Sequence, residues 1–283
     1  MQNPLRRQSL NKAIRPGIIF FFALTTELFA YGDNNGRGTR AIALANSFVS
    51  IADNAWATLY NPAGLSQLTT FQASAFFIPQ QFGLTELKTV ALATGFPTEF
   101  VSAGVEIEQF GFELYRESFL RVGIGTNLDR NVMWGVAVNL GRLSIERYGS
   151  AQLSSCDMGL LAKLQNDIRL GFAWKNVFAA KITPSNDRLP QVFLLGGSYA
   201  VTSDLHIVLE MEKDVRYATI LKLGIDKSLF NILRIMAGIS NNPDKFSVGM
   251  GLNYAQIEFG YAGYSHVDLG WTHQIELGFQ LGE

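Results

Sequence analysis

The stretch FSVGMGLNY, residues 246–254, alternates between apolar side chains and small or polar ones. Successive side chains of a β-strand point to opposite faces, so Phe246 and Val248 share one face while Ser247 and Gly249 share the other. The second row is neither charged like a solvated surface nor bulky like a packed core. Such a strand suits a sheet with one apolar face and one face that lines a confined polar interior.

The same two-residue period recurs along most of the chain. Fourteen such segments begin near residues 68, 85, 99, 115, 131, 151, 168, 190, 204, 216, 231, 244, 256 and 270. Short connections follow the even-numbered segments, whereas longer or more polar ones follow the odd-numbered segments, above all residues 179–190. An even strand number with short turns at one end and longer loops at the other is typical of an outer-membrane barrel.

A soluble β-sandwich also alternates, so the period alone leaves two architectures open. A sandwich would carry charges along its outer row, whereas the second row here is mostly Gly, Ser, Ala and Asn. Segments of about ten residues match a tilted membrane strand, while globular strands average about five or six. A sheet in lipid must also close, because open edges leave backbone groups unpaired. We therefore predict an all-β fold, a transmembrane antiparallel β-barrel of about 14 strands spanning residues 67–283.

The N-terminus has the layout of a secretory signal peptide. Basic residues such as Arg6 and Lys12 precede an apolar run at residues 18–24, and the small residue Ala30 follows. A membrane-anchoring helix is the alternative, but the run is shorter than the roughly 20 residues that a bilayer span needs. We expect residues 1–30 to be the signal peptide and the mature barrel to lie in the outer membrane of a Gram-negative-type bacterium.

Charge and motif content exclude several function classes. The net charge is -1 and the charged share is 17%, so there is no basic field for a nucleic-acid partner. His206, His266 and His273 fall in separate segments without metal-ligand spacing, which argues against a metal site. No serine has a Ser-His-Asp setting and no cofactor motif is present, so we predict no catalytic residues, no cofactor and a non-enzymatic protein.

Residues 31–66 precede the barrel and predict a partly helical plug. Apolar residues at helical spacing over residues 39–60 indicate helix, and Asp53 is placed to cap a short helix at residues 55–60. Asn61 before Pro62 should leave the helical region, and a tight turn should follow. A lumen of fourteen strands is wider than its side chains can fill, so this segment belongs inside it. The predicted plug motif is Asp53, Trp56, Tyr60, Asn61, Pro62, Ala63 and Gly64.

Polar side chains on the inner row are the predicted partners of this plug. They are Arg121, Arg169, Glu210, Lys222 and Arg234. Asp53 and Asn61 are expected to bond to basic members of this group. Glu210 and Lys222 lie on neighbouring predicted strands, which indicates a charge pair within the lumen. Both a fixed plug and a gated one are compatible with this pattern.

Two terminal blocks resemble a known family. GTRAIALANSFVSIADNAWATLYNPAGL at residues 38–65 and LGWTH at residues 269–273 are similar to signatures of the PorV/PorQ family, outer-membrane barrels related in design to FadL long-chain fatty acid transporters. WKN at 174–176 and LPQVFLLGGSY at 189–199 are also similar to family sequence. The family commonly has a second Asp where this chain has Asn54, which puts an acidic role for the pair with Asp53 in doubt.

The resemblance implies a lumenal hatch and an accessory role in protein export to the cell surface, linked in that family to type IX secretion. The partners would then be exported proteins or other secretion components, with outer-membrane lipid around the barrel. The short loops favour this interpretation. The alternative is a FadL-like channel for uptake of hydrophobic small molecules such as long-chain fatty acids, which a movable hatch would favour.

Overall fold

The computed structural model describes residues 36–183 and 187–281, and the predicted signal peptide lies outside these ranges. Within these ranges, two α-helices and a 3₁₀ helix precede the strands: α1 (Thr39–Ala43), α2 (Ala57–Tyr60) and the 3₁₀ helix Pro62–Gln67. The strands are β1 (Gln72–Ile78), β2 (Thr89–Phe96), β3 (Ser102–Gly111), β4 (Tyr115–Asn127), β5 (Val132–Ile145), β6 (Gly149–Lys163), β7 (Ile168–Lys175), β8 (Val192–Thr202), β9 (Leu205–Asp214), β10 (Ile220–Leu229), β11 (Leu233–Ser240), β12 (Lys245–Tyr254), β13 (Ile257–His266) and β14 (Gly270–Gln280). None of the helices within the described ranges is long and apolar enough to cross a membrane.

The fourteen strands form one closed antiparallel barrel. Each strand pairs with its neighbours in sequence, and β1 pairs with β14 through a register that sets Ala75 opposite Leu277. Closure leaves no open sheet edge between the first and last strands, as a sheet surrounded by lipid requires. Each strand begins within four residues of its predicted start, and the predicted fold class is confirmed.

Side chains alternate in and out along the strands, and the outward-facing ones form an apolar belt around the barrel. On β9, Leu209 is 59% exposed while its neighbour Val208 is fully buried in the lumen. Val122, Val138, Leu160 and Ile225 are likewise exposed on the outside. A water-exposed sheet would place charges at such positions, so this exterior is suited to lipid.

We call the end where β1 begins and β14 ends the turn end, and the opposite one the loop end. The predicted excess of length at the loop end holds only for the connections at residues 79–88 and 176–191, since the connection at residues 215–219 is as long as the turn at residues 97–101. The other loop-end connections are as short as the turns. One of them joins β5 and β6, which are 14 and 15 residues long.

The long connection after β7 folds back onto the wall. β7 ends at Lys175, so β6 has no strand partner on that side nearer the loop end. Thr183 forms an isolated antiparallel bridge with Gln152 of β6, with N···O distances of 3.0 and 2.9 Å. The connection thereby pairs part of the β6 edge that β7 leaves open.

The plug is less helical than its spacing predicts. Only α1 and α2 are helical between residues 39 and 60, and Ala45 and Asn46 have positive φ angles of 54° and 61° that end the first helix. The prediction that Asp53 caps the second helix is wrong. The N-cap is Trp56, and the carbonyl oxygen of the Asn54 side chain accepts from its backbone amide at 3.1 Å. Asp53 instead forms an ion pair with an arginine.

Candidate functional site: the lumen plug

The plug motif is centred on Asn61, whose side chain is fully buried. Its Nδ2 donates to the carbonyl oxygen of Val49 at 2.8 Å and to that of Leu160 on β6 at 3.0 Å. Its Oδ1 accepts from the Ala63 amide at 3.2 Å, which caps the 3₁₀ helix. One side chain thus joins the plug before the bend, the plug after it and the barrel wall.

The residues around Asn61 are packed without spare space. Pro62 begins the 3₁₀ helix, where its missing N–H is not needed, and Ala63 is fully buried. A Cβ on Gly64 would meet the Ala52 carbonyl oxygen, so a side chain there would separate the two halves of the plug. The bend therefore depends on small residues as well as on the Asn61 hydrogen bonds.

Tyr60 links helix α2 to the earlier part of the plug. Its hydroxyl donates to the Arg37 carbonyl oxygen and accepts from the Arg37 amide, both at 2.9 Å, and it lies 3.1 Å from Asn46 Oδ1. Burial raises the pKa of Tyr60, so the phenol stays protonated and can donate. Its ring meets Phe48 edge to face, with centroids 5.1 Å apart.

Twelve lumen-facing glycines of the wall receive the plug, and we call them the glycine girdle. They are Gly95, Gly104, Gly123, Gly125, Gly135, Gly159, Gly171, Gly196, Gly224, Gly238, Gly249 and Gly260. A Cβ on any of them would lie in contact with a plug residue or with Leu68 just beyond it, for example Pro62 at Gly135 and Leu44 at Gly238. The wall backbone therefore lies directly against the plug, against its backbone at Gly125, Gly135, Gly171 and Gly238 and against its side chains at the other positions, and a larger residue would force the two apart.

Glu210 on β9 links the wall to the plug by charge-assisted hydrogen bonds. Its Oε2 accepts from the backbone amides of Phe48 and Val49, each at 2.9 Å. Lys222 Nζ lies 2.8 Å from the other oxygen of Glu210 and 2.6 Å from Glu212 Oε2. The lumen charge pair predicted from the sequence is present, and it supports plug amides that no helix satisfies.

A second carboxylate and an arginine hold the plug near the turn end. Glu276 accepts from the Thr39 amide and from Trp56 Nε1, both at 2.6 Å. Arg40 pairs with Asp53 at 2.6 Å and with Asp226 on β10 at 2.9 Å. Asp53 therefore reaches the wall through Arg40, and the predicted direct bond to a wall arginine is not formed.

The three predicted wall arginines have different partners. Arg121 lies 2.9 Å from both Glu106 and Glu108 of β3, while Arg37 of the plug also pairs with Glu108. Arg169 donates to Gln67 Oε1 at 3.2 Å, at the end of the plug. The remaining one, Arg234, lies 3.6 Å from Asp226 and 4.0 Å from Glu258. In the described hydrogen bonds and ion pairs, Arg169 is the one of these three that bonds to the 3₁₀ helix following the bend.

Two polar cavities open at the turn end, on either side of Asp53. One, of about 290 Å³, also meets Arg40, Arg234 and Glu258. The other, of about 610 Å³, also meets Arg169. The plug thus occupies the lumen between the wall strands, and charged side chains line both cavities at this end.

Another part of the lumen is apolar. Trp56 meets the wall residue Phe76 edge to face, with centroids 5.8 Å apart, and Phe82 meets Tyr264 at 6.1 Å. Trp56, Phe76, Tyr264 and Ile78 belong to one buried apolar cluster shared by plug and wall, and the partly buried Phe82 packs against it. Within the residues that the structure describes, no group of three or more His, Cys, Asp or Glu side chains could hold a metal ion.

No protein-family model matches this chain, and no curated protein matches it. Solved structures do match it, and three of them cover most of the chain. The CymD monoaromatic hydrocarbon channel is 12% identical with a TM-score of 0.67, covering 89% of this chain and 99% of that one. The toluene transporter TodX of Pseudomonas putida is 13% identical with a TM-score of 0.62, covering 87% and 97%. A FadL homologue of Pseudomonas aeruginosa is 11% identical with a TM-score of 0.63, covering 87% and 99%.

At these identities the likeness shows the fold, which is that of FadL-like barrels. Two of these neighbours are described as a channel and a transporter, and that description applies to those proteins. Closure and the apolar exterior make the chain a membrane-spanning barrel of the kind that bacterial outer membranes contain. The finer resemblance to the PorV/PorQ family is not shown by any of these comparisons and stays a prediction.

Proposed function

We propose that this chain is a plugged outer-membrane channel that admits small hydrophobic molecules. The observation that carries the proposal is the apolar cluster shared by Trp56 of the plug and Phe76, Ile78 and Tyr264 of the wall. If the plug moved aside there, the opened surface would be apolar and would favour a hydrocarbon over an ion. A water-filled porin has a polar lumen instead.

The paired charges of the lumen support the same substrate class. Arg121 and Lys222 are each held by two carboxylates, so neither cation is left unpaired to bind an anionic solute. The fold neighbours include proteins described as a monoaromatic hydrocarbon channel and a toluene transporter. Their fold is compatible with such transport in this chain.

Uptake by intact cells tests the proposal. A strain without this gene and a complemented strain are compared for uptake of a labelled long-chain fatty acid and a labelled monoaromatic hydrocarbon. We expect uptake of at least one to fall in the deletion strain and to recover on complementation, while uptake of a small polar sugar stays unchanged. Equal uptake of both hydrophobic probes by the two strains would overturn the proposal.

A second candidate is an accessory of protein export to the cell surface. The observation that favours it is the shortness of the loop-end connections at residues 112–114, 146–148 and 267–269, which leave little material for an external capture site. The PorV/PorQ resemblance points the same way. The same strains are assayed for exported proteins at the cell surface. If the deletion strain lost these proteins from its surface but took up hydrophobic probes normally, the export function would be favoured over the channel function.

A further inference from the structure

A groove of about 730 Å³ lies on the outside of the barrel toward the loop end. It crosses β3 to β6 and ends on the connection that folds back after β7. Ile107, Leu120 and Leu140 are exposed there, while the neighbouring Glu108, Phe119 and Leu153 face the lumen and are buried. Because side chains alternate along a strand, the exposed set faces the surroundings of the barrel.

The groove straddles the border between the apolar belt and a polar extension of the wall. Ile107, Leu120 and Leu140 are cross-strand partners and form one apolar row. One step closer to the loop end, the next row of outward-facing side chains is polar. It consists of the consecutive cross-strand partners Gln109, Ser118, Arg142 and Gln152. This transition is where hydrocarbon gives way to lipid headgroups.

Two basic side chains line the polar side of the groove. Arg142 is exposed on β5, and Lys181 is exposed on the returning connection. The bridge between Thr183 and Gln152 sets Lys181 near Ser154, on the same outer face. Within residues 36–183 and 187–281, the ion pairs involve other basic side chains, and neither Arg142 nor Lys181 makes one.

An adjoining cavity extends the basic surface away from the membrane. It measures about 310 Å³ and is lined by Arg116 and Arg142 together with Ser118, Ser144 and the carboxylate of Glu113. The cations thus exceed the carboxylates on this part of the wall. Exposed cations next to an apolar row are complementary to a lipid that carries an anionic headgroup.

We propose that this outer groove binds a phosphorylated lipid of the surrounding outer leaflet. An acyl chain lies along Ile107, Leu120 and Leu140, and the headgroup phosphate lies between Arg142 and Lys181. Arginine binds phosphate oxygens in a bidentate manner, while lysine contributes a compact charge on a flexible stem. Both side chains can rest their apolar stems on the groove and extend their charges to the headgroup level. The site is independent of the plug and of the transported substrate.

Lipid binding to the purified full-length chain in detergent tests this site. The probes are diphosphoryl lipid A, zwitterionic phosphatidylcholine and inorganic phosphate, and the readout is lipid bound per protein by native mass spectrometry. We expect the R142Q/K181Q variant to bind diphosphoryl lipid A at least tenfold more weakly than the wild type. The R142K/K181R variant should retain most of the binding, and the binding should weaken as salt screens the exposed charges.

Arg216→Gln is the matched control, because Arg216 lies in a different loop-end connection and pairs with Asp214. Its binding should equal that of the wild type. Heat-dependent gel migration checks that each variant is folded, and the single variants R142Q and K181Q replace the double variant if it does not fold. Three results would overturn the site: binding by R142Q/K181Q within twofold of the wild type, equal binding of phosphatidylcholine, or displacement of the lipid by inorganic phosphate at equal concentration.

Discussion

Glu210 Oε2 on β9 accepts a hydrogen bond from the backbone amide of Phe48 in the plug at 2.9 Å. The same oxygen accepts from Val49, while Lys222 neutralises the carboxylate from the neighbouring strand. These plug amides lie outside any helix, and buried amides need a partner. A wall side chain therefore fills the role that a helical carbonyl would otherwise have.

Glu210→Ala should destabilise the folded barrel strongly. The change leaves two plug amides unpaired and Lys222 with Glu212 as its remaining carboxylate, so the cost should approach the ~3–5 kcal/mol of a broken buried pair. Glu210→Gln keeps an oxygen for the amides and should cost less. The measurement is the temperature at which the compact gel band disappears. Glu212→Ala is the control because Glu212 pairs with Lys222 and is more exposed, so an equal loss in both alanine variants would contradict the plug-anchoring role.

Replacing Asn61-Pro62 by Ala-Ala should raise ion conductance in planar bilayers. The substitution removes the Asn61 hydrogen bonds to Val49, Leu160 and Ala63 and loosens the bend. Asn54→Ala is the control, since the Asn54 side chain bonds only the nearby Trp56 amide among the contacts described here. Conductance that stays at the wild-type value would argue against a sealing role for the bend.

Gly196→Val and Gly197→Val form a matched pair on β8. A Cβ at Gly196 would approach Val49 Cγ1 to 2.6 Å, whereas one at Gly197 faces outward with Leu170 Cδ2 at 3.5 Å. Overpacking a filled interior typically costs about 1–3 kcal/mol. We expect lower thermal stability or higher conductance for Gly196→Val and near wild-type behaviour for Gly197→Val. Identical behaviour of the two variants would refute the glycine girdle as a plug seat.

A reversible cross-link distinguishes a gated plug from a fixed one. A Cβ on Gly260 would lie 3.1 Å from Thr39 Cβ, slightly closer than the roughly 3.5–4.5 Å of a disulfide, so a small shift permits a bond. The T39C/G260C pair is made with Cys156→Ser to remove the native thiol. If the plug must move, oxidation should stop hydrophobic uptake and reduction should restore it. The disulfide is verified by mass spectrometry. Equal uptake by the oxidised and the reduced protein would mean that this part of the plug stays in place.

The strands could be predicted from sequence because each carries its own signal. In FSVGMGLNY the lipid-facing and lumen-facing rows are both visible in nine residues, and the structure places Met250 outside and Ser247 inside accordingly. The Glu210–Lys222 pair followed from the same alternation on two neighbouring strands. Local periodicity is enough to predict the surroundings of a side chain wherever they depend only on the face of the strand that the side chain occupies.

The conformation of the plug could not be predicted in the same way. Its apolar residues at helical spacing are buried on all sides, so their spacing does not report one helical face. Asp53 has the right type and position for an N-cap, but Arg40 offers it a charged partner and Asn54 bonds the helix amide instead. Tertiary contacts from distant strands decided both outcomes.

The glycine girdle was visible in the sequence but its meaning was not. Glycines on the inner row suggested a polar lumen, whereas they are the places where the wall touches the plug. A specific signal was available in their register, since Gly135 pairs with Gly159 and Gly171 with Gly196 on adjacent strands. Glycine partners on neighbouring strands leave a pit in the wall, and successive pits around a barrel indicate a buried occupant.

The close seating of the plug also constrains how the protein assembles. Asn61 and Pro62 contact the wall at Gly159 and Gly135, strands that are made long after the plug itself. The plug leads directly into β1, and β1 meets the last strand, β14, at the point of closure. The final step of membrane insertion is therefore expected to wrap the wall around a core that is already present, and a chain synthesised without residues 36–66 should have difficulty reaching a closed barrel at all.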